Sequence, residues 1–488
     1  MPVSIQRWID AQGFRNGNPF EFYEADRDPL LSSYFISPEW FDALRGNTMQ
    51  PQSAILFAAR GHGKSSQRRQ IAHLCGSDSP PALIIELTDY EWLRDAADER
   101  LERVYLRKIV QLGVEEIIGR LARDRMAASE YAQAPQRSVQ LRGLQHWANP
   151  QRRLLLPPLT LSDEQRRSLA ARRGVPPEQL PSDTELVEQI FEAYSSEELR
   201  QIQKDLLDLA RLAGCASIYV LLDRVDEDSE TEYDAAATIK RLRPLISNLN
   251  IIECPGYAFK IFLPNYLRHE LIITRVGRID DRIASYTLSW EDKDLRAMLQ
   301  ERLSYFSRDR ARAGGSGPIT SLSDLCDDTD TLPDADSLLI TAARRSPRHM
   351  IRLARRLIEH HCRAAERASD LIPRALVERL LPTPLPWLRV DDNDDVWLDQ
   401  ELITSRLTKK DRQMLLFLWA QRGRYQKHSQ ISQALYNNGQ LNESIDRAIS
   451  RLRERLQPEQ PRSRDYLDYD SLRGYRLINF EGSSNDPV

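Results

Sequence analysis

What the sequence lacks narrows the field first. No stretch of its 488 residues approaches the roughly 20 uninterrupted apolar residues that a membrane span needs, so no membrane partner is expected. The opening run, MPVSIQRWIDAQGF, does not have the charged-then-apolar layout of a secretory signal. Cysteine is scarce. Cys75, Cys215, Cys254, Cys326 and Cys362 lie far apart with no C-x-x-C pair, which argues against a zinc site or a disulfide framework and for a reducing, cytoplasmic home. Strong charge of either sign is also missing: the net charge is −4, and the overall balance selects no partner. No internal repeat is visible.

What is present is 41% hydrophobic and 29% charged residues, the composition of a soluble globular protein long enough for two or three domains. The charge is unevenly spread. Residues 403–480 carry 15 Lys and Arg against 8 Asp and Glu, leaving the rest of the chain acidic. A basic terminal domain on an acidic body points to a polyanion for that end, or to no more than a well-solvated surface.

Short, nearly continuous apolar runs fall at 53–59, 82–87, 216–223, 258–264 and 284–290, as expected for parallel strands buried on both faces. Helical periodicity over 101–126 and 185–212 flanks a Pro- and Arg-rich stretch, and the sequence leaves the order of the insertion at about 127–181 open. After Trp290 the pattern turns helical, and 382–398, with its prolines and acids, reads as a linker. The alternation of strands and helices predicts an α/β domain with a parallel sheet.

The run ILFAARGHGKSSQRRQIAHL carries most of the chemistry. Its centre fits the phosphate-binding pattern G-x-x-x-x-G-K-[ST], except that Ala58 stands at the first glycine position. In such a loop, successive backbone N–H groups wrap the phosphates and the following helix adds its positive N-terminal end. Ala58, Arg60, Gly61, His62, Gly63, Lys64, Ser65 and Ser66 are therefore the candidate nucleotide-binding residues. Lys64 is expected on the β- and γ-phosphates and Ser65 on Mg²⁺, while Gly61 and Gly63 allow close backbone approach. Alanine at 58 is tolerable if that position has negative φ. The second half of the site is SIYVLLDRVDED, which ends an apolar strand in Asp223, a carboxylate for the Mg²⁺ shell.

Many AAA+ ATPases follow that aspartate with a water-activating glutamate, where this chain has Arg224. The unit LLDRVDE resembles instead the D-x-x-D-E form of the STAND and NACHT ATPases. That resemblance implies that Asp226 or Glu227 positions the attacking water; the alternative is that both cap the following helix and hydrolysis is slow or absent. Asn265, after the strand AFKIFLP, stands where AAA+ proteins carry a γ-phosphate sensor, and is otherwise a turn residue. SPRHMIRLARRL resembles the second-sensor segment of initiator-type AAA+ proteins, which makes Arg348 the candidate, with Arg344, Arg345 and Arg352 as substitutes and a solvent-facing basic helix as the alternative. Phe20, Tyr34 and Phe35 precede the loop by the distance at which initiator and STAND ATPases place their adenine-contacting segment, a role the resemblance implies, and they would equally serve a core.

Near the C-terminus, three amphipathic segments precede an alternating stretch that turns near Arg473-Gly474, the pattern of a winged helix. AISRLRERLQPEQPRSRDYLDYDSLRGYRL resembles the response-regulator (OmpR-like) winged helix, although the second glycine of that family's wing is missing. The resemblance implies that Arg447, Arg451 and Arg455 face double-stranded DNA from the third helix and Arg473 from the wing. Winged helices also dock proteins, and Glu443, Asp446 and Glu454 weaken the helix's positive field.

As a whole the chain resembles a STAND-like or initiator-like AAA+ ATPase. The expected fold is a P-loop NTPase α/β domain over 1–290, with a parallel sheet and a helical insertion at about 101–212. An all-helical lid (291–381), the linker (382–398) and a C-terminal winged helix (399–482) follow. The resemblance implies an ATP- and Mg²⁺-dependent switch that assembles as a homo-oligomer and engages DNA. In such assemblies one subunit lends an arginine to its neighbour; Arg275 and Arg278 are candidates, unless they pair with Asp280 or Asp281. A signalling ATPase of an antiviral defence system, its winged helix holding a protein effector, is the alternative. A nucleotide-binding scaffold without turnover is a third.

Overall fold

All five apolar runs contain strands in the computed structural model, and three of these, Ala54–Ala58, Ser217–Leu222 and Tyr257–Pro264, are buried along their whole length, as a parallel strand covered on both faces requires. The structure describes residues 3–93, 101–123, 135–148, 162–183, 185–186, 189, 199–228, 231, 234–273, 282–310, 317–327, 333–381, 387–391, 393–398, 401–436, 442–456, 466–470, 473–478 and 480. These divide into two compact units. One comprises Glu24–Ala59 and Gly63–Ser289; the other comprises Met1–Tyr23, Arg60–His62 and Trp290–Val488. Among the described residues no helix is long and apolar enough to cross a membrane.

The first unit is built on a five-stranded parallel sheet of β1 (Ala54–Ala58), β2 (Ala82–Leu87), β3 (Ser217–Leu222), β4 (Tyr257–Pro264) and β5 (Ala284–Leu288), in the order β2-β3-β4-β1-β5. β1, β3 and β4 occupy the centre, and β5 is a partly exposed edge. Because all strands run the same way, their C-terminal ends share one rim, where open α/β sheets place ligands. The loops after β1 and β3 both leave from that rim, separated only by β4.

The helices between β2 and β3 form because their apolar residues recur at helical spacing and find the sheet. Helix Leu101–Arg123 buries Tyr105, Leu106, Ile109, Val110, Val114 and Ile117; helix Leu199–Leu212 buries Ile202, Leu206, Leu207, Leu209 and Ala210. The described part of the insertion is helical rather than irregular. Helices Pro135–Ala148 and Asp163–Arg173 are present, and Val139, Leu169, Ala170, Leu180 and Leu186 make a small core of their own.

In the second unit, the first 23 residues group with the helical region rather than with the sheet, although 1–290 was expected as one domain. The reason is packing on helix Pro347–Ala364: Trp8 is fully buried, its indole N–H donates to the Asp370 carbonyl at 2.9 Å, and Val3 N–H donates to the Cys362 carbonyl at 3.1 Å. Helices Asp292–Ser307, Ala335–Ala343, Pro347–Ala364 and Arg374–Leu380 make up the all-helical part. The first opens with a reciprocal Glu291/Asp294 capping box.

The stretch read as a linker is partly folded. β6 (Leu388–Val390), β7 (Val396–Leu398) and β8 (Glu401–Leu402) form an antiparallel sheet, and Leu388 and Val396 join the core of the C-terminal domain. The run of acids hid a turn: Asp391 Oδ1 accepts the backbone N–H of Asn393 at 3.0 Å and of Asp395 at 2.9 Å. Helices Lys409–Ala420, His428–Tyr436 and Asn442–Leu456 and the hairpin β9 (Leu467–Asp470)/β10 (Gly474–Leu477) complete the winged helix.

Candidate functional site

β1 delivers the chain to the loop at Ala58, whose carbonyl accepts Lys64 Nζ at 3.3 Å and the Asn265 backbone N–H at 3.2 Å. Ala58 is an ordinary extended strand residue, so no glycine is needed there. Glycine is needed further on: Gly61 and Gly63 have φ of +79° and +97°. Gly63 then caps helix Lys64–Ser77, whose unsatisfied N-terminal N–H groups make a ready anion site. Ser65 and Ser66, in the first turn, are half-buried. Arg60, Gly61 and His62 belong to the second unit. There the Gly61 carbonyl accepts the Arg348 backbone N–H at 3.3 Å, and the Trp290 indole N–H donates to the His62 carbonyl at 2.8 Å.

The residue after β3 meets the loop. Ser65 Oγ donates to Asp223 Oδ2 at 2.7 Å, joining positions 158 residues apart. Asp223 is 1% exposed, and its Oδ1 accepts the Arg224 backbone N–H at 2.9 Å. A hydroxyl and a carboxylate side by side are hard oxygen donors of the kind Mg²⁺ takes, with water and phosphate oxygens completing its shell. Among the described residues no group of three or more His, Cys, Asp or Glu is set to hold a metal unaided.

Asp226 and Glu227 follow in the turn after Asp223. Asp226 Oδ1 is buried without a hydrogen-bond partner among the described residues, and such an atom calls for a water or an ion. Glu227 is exposed, 3.7 Å from Arg224 Nε. Asn265 is exposed at the end of β4, tied to Ala58 by its backbone. Arg348 is half-buried at the start of helix Pro347–Ala364, where Ser346 caps the His349 N–H at 3.3 Å and Pro347 occupies the first turn. Burial, with Arg352 and Arg344 nearby, holds the neighbouring His349 down to about 4. Phe20 is fully buried, Tyr34 is buried with its hydroxyl on Asp28, and Phe35 packs against Phe41 at 5.3 Å. Arg275 and Arg278 lie outside the described residues.

Sequence reasoning missed the side chain that ties this site together. Arg68 is 3% exposed, and its three guanidinium nitrogens go to three carboxylates: Nε to Asp223 Oδ2 at 3.2 Å, Nη1 to Glu86 at the end of β2, and Nη2 to Asp26. Arg224 binds Asp26 from the other side. Burial disfavours the charge on Arg68, but Glu86, Asp223 and Asp26 outweigh it, and its pKa is raised above the ordinary arginine value. The signal was available. Lys64, Arg68, Ile71 and Cys75 form the buried stripe of the helix, and an arginine on such a stripe must find partners.

At the C-terminal end, helix Asn442–Leu456 buries Ile445, Ala448, Ile449, Leu452 and Leu456. Arg447, Arg451 and Arg455, spaced four apart, are exposed together with Glu454. Asp446 does not oppose them freely: His428 Nε2 and the Tyr475 hydroxyl both lie 2.6 Å from its Oδ1. Arg453 is committed elsewhere, donating to the Leu467 carbonyl beside the Tyr475 ring. Arg473 is exposed on the wing, 5.6 Å above the Tyr425 ring. The side chain of Glu443 lies outside the described residues.

Comparison with known proteins agrees at this end of the chain. Residues 403–477 match the family model described as "Transcriptional regulatory protein, C terminal". No curated protein matches the chain. Among solved structures, that of the Aeropyrum pernix ORC2 protein in ADPNP–ADP complexes aligns over 93% of this chain and 94% of that one, at 11% identity and a TM-score of 0.36. The chain combines a five-stranded parallel α/β unit with an all-helical region and ends in a winged helix similar to the C-terminal domain of transcriptional regulatory proteins.

Proposed function

We propose that this chain is an ATP-binding switch that hydrolyses ATP, and whose nucleotide state governs homo-oligomer assembly and engagement of double-stranded DNA through the winged helix. The observation that carries the reading is the meeting of Ser65 and Asp223, at 2.7 Å, beside the glycine turns and free helix N-terminus of the loop. In this reading the loop amides and Lys64 bind the β- and γ-phosphates. Ser65 holds Mg²⁺ directly and Asp223 holds it through water; bound there, the ion neutralises charge developing on the phosphoryl oxygens. Asp226, with its unpartnered oxygen, and Glu227 orient the attacking water, while Asn265 and Arg348 sense the γ-phosphate. The domains work as an α/β ATPase body over the sheet unit (24–59 and 63–289), a lid over 291–381 that groups with the first 23 residues, and a DNA-binding end over 399–482. Support for DNA comes from the family match and from the exposed stripe Arg447, Arg451 and Arg455 with Arg473 on the wing.

Lys64→Ala removes a charge-assisted contact worth about 1.5–3 kcal/mol, so ATP affinity falls roughly 10- to 150-fold. Unchanged affinity refutes the phosphate site. Glu227→Gln and Asp226→Asn, assayed for ATP turnover with binding intact, decide between hydrolysis and a binding-only scaffold. Duplex binding by the full chain, titrated at two salt concentrations, tests the other end. Four phosphate contacts give a log–log slope near −3.6, at about −0.9 each. No binding at low salt favours a protein effector for the winged helix.

A further inference from the structure

We infer that Arg68 is an internal counter-ion that holds the metal position closed until a nucleotide arrives. The inference rests on the reading of Ser65 and Asp223 as the metal ligands. It begins from an arrangement that packing alone does not demand. One guanidinium, 3% exposed, is shared by Asp26, Glu86 and Asp223, three carboxylates from three separate parts of the chain. The Asp223 oxygen that Arg68 engages, Oδ2, is the same one that accepts the Ser65 hydroxyl. Arg68 therefore occupies the carboxylate oxygen that faces Ser65, where the metal's water shell would lie.

The local charge makes the competition specific. Asp26, Glu86 and Asp223 bring three negative charges, and Arg68 and Arg224 return two, leaving one; Glu227, 3.7 Å from Arg224, is exposed and screened by solvent. A divalent cation entering alone would sit beside a buried guanidinium in a cluster unable to neutralise it, and like charges at such range disfavour each other strongly. A nucleotide changes the balance, because its phosphates bring the missing negative charge along with oxygen ligands. Without Arg68 the cluster carries two negative charges, the complement of one divalent ion, on three carboxylates that had converged on a single group. Arg68 also gives the metal's arrival a mechanical consequence. If Asp223 Oδ2 turns to the ion's water shell, the Nε bond is released, and the guanidinium keeps its hold on Glu86 and on Asp26, which also anchors Arg224 beside Glu227.

The test uses Mn²⁺ as probe and the full chain, with bound Mn²⁺ measured by loss of the free-ion EPR signal. Wild-type protein is expected to take up one Mn²⁺ with ATP and none tightly without it. Arg68→Gln is expected to bind one Mn²⁺ in the absence of nucleotide at least ~10-fold more tightly than wild type, and Arg68→Lys, which keeps the charge, to behave as wild type. Gln without gained affinity, or Lys binding like Gln, overturns the role of Arg68. If Arg68→Gln does not fold, Asp26→Asn decides. It concentrates the Arg68 charge on Asp223 and Glu86, so the Mn²⁺ needed for half-maximal uptake with ATP rises severalfold; an unchanged midpoint overturns the inference. Wild type that takes up no Mn²⁺ even with ATP sinks the metal-site reading itself, which is a separate outcome.

Discussion

Replacing Lys260 with Met should stabilise the sheet unit at neutral pH, and the gain should vanish as pH rises. Lys260 lies in the middle of β4, 0% exposed, paired in register with Ala54 of β1 and Leu221 of β3. Among the described residues its Nζ makes one hydrogen bond, to the Gln52 carbonyl at 2.6 Å, faces the Tyr219 ring at 5.5 Å, and has no carboxylate partner. Burial pushes its pKa down from 10.5 to about 7. Between those values the unfolded chain holds a proton that the native site lacks, so native stability increases with pH across that window and is flat below it. Each pH unit is worth at most about 1.4 kcal/mol, and the whole window on the order of 5 kcal/mol.

Met keeps the unbranched bulk of the side chain and abolishes this titration, but it leaves the Gln52 carbonyl short of a partner, at a cost of about 1–3 kcal/mol. The net expectation for Lys260→Met is a gain of about 2–4 kcal/mol at pH 7, shrinking to nothing or reversing near pH 10. The chain has two units, so global unfolding is a poor readout; hydrogen exchange of β3 and β4 amides at pH 7, 8 and 9 isolates the relevant opening. Parallel pH profiles for wild type and variant would show that the native lysine keeps an ordinary pKa, and would refute the reasoning.

Two further outcomes follow for the winged helix. Gly474→Ala should release the wing: φ is +97°, and a Cβ would lie 2.2 Å from the Gln426 carbonyl oxygen. The left-handed penalty alone is about 1–2 kcal/mol, so exchange of the Tyr475 amide, which donates to Gln426 at 3.0 Å, should accelerate roughly 10-fold or more; unchanged protection contradicts this. Arg451→Ala should weaken duplex binding about equally across sequences if it contacts phosphate, and make the salt slope shallower by about 0.9. Loss of affinity for one sequence with the slope intact would instead put Arg451 on a base edge.

How much could be read from the sequence depended on how local the physics was. The glycine loop after β1 is local: a strand, two glycines, a lysine and a hydroxyl within twelve residues dictate their own geometry, and Ala58 fits because its position is still strand. The order of the strands could be read only as a list of buried runs, since pairing is settled by which faces fit. The segment at 382–398 misled because proline and aspartate signal a break whether they end a domain or turn a hairpin. The alternation Leu388–Val390 and Val396–Leu398 was too short to outweigh them. Arg68 was hidden for the opposite reason. Its partners lie 155, 18 and 42 residues away, and only the fold brings them to one guanidinium.

Backbone strain marks the same places from an independent direction. Besides Asp394 in the turn between β6 and β7, the non-glycine residues with positive φ among those described are Arg224, Arg344 and Arg345, at +65°, +50° and +61°. Each costs about 1–2 kcal/mol relative to a glycine, and survives only where neighbours over-determine it. Arg224 is held by Asp26 and by its N–H on Asp223; Arg344 is held by stacking 4.7 Å above the Trp387 ring. Arg224 directly follows Asp223, and Arg344 and Arg345 directly precede the Ser346–Pro347–Arg348 helix start. A merely structural turn at either place would be cheaper with glycine, asparagine or aspartate. At Arg224 the turn also carries a fixed cation to a carboxylate, that of Asp26. Strain and charge are therefore one feature at that turn, since the residue with φ of +65° is the one whose guanidinium holds Asp26.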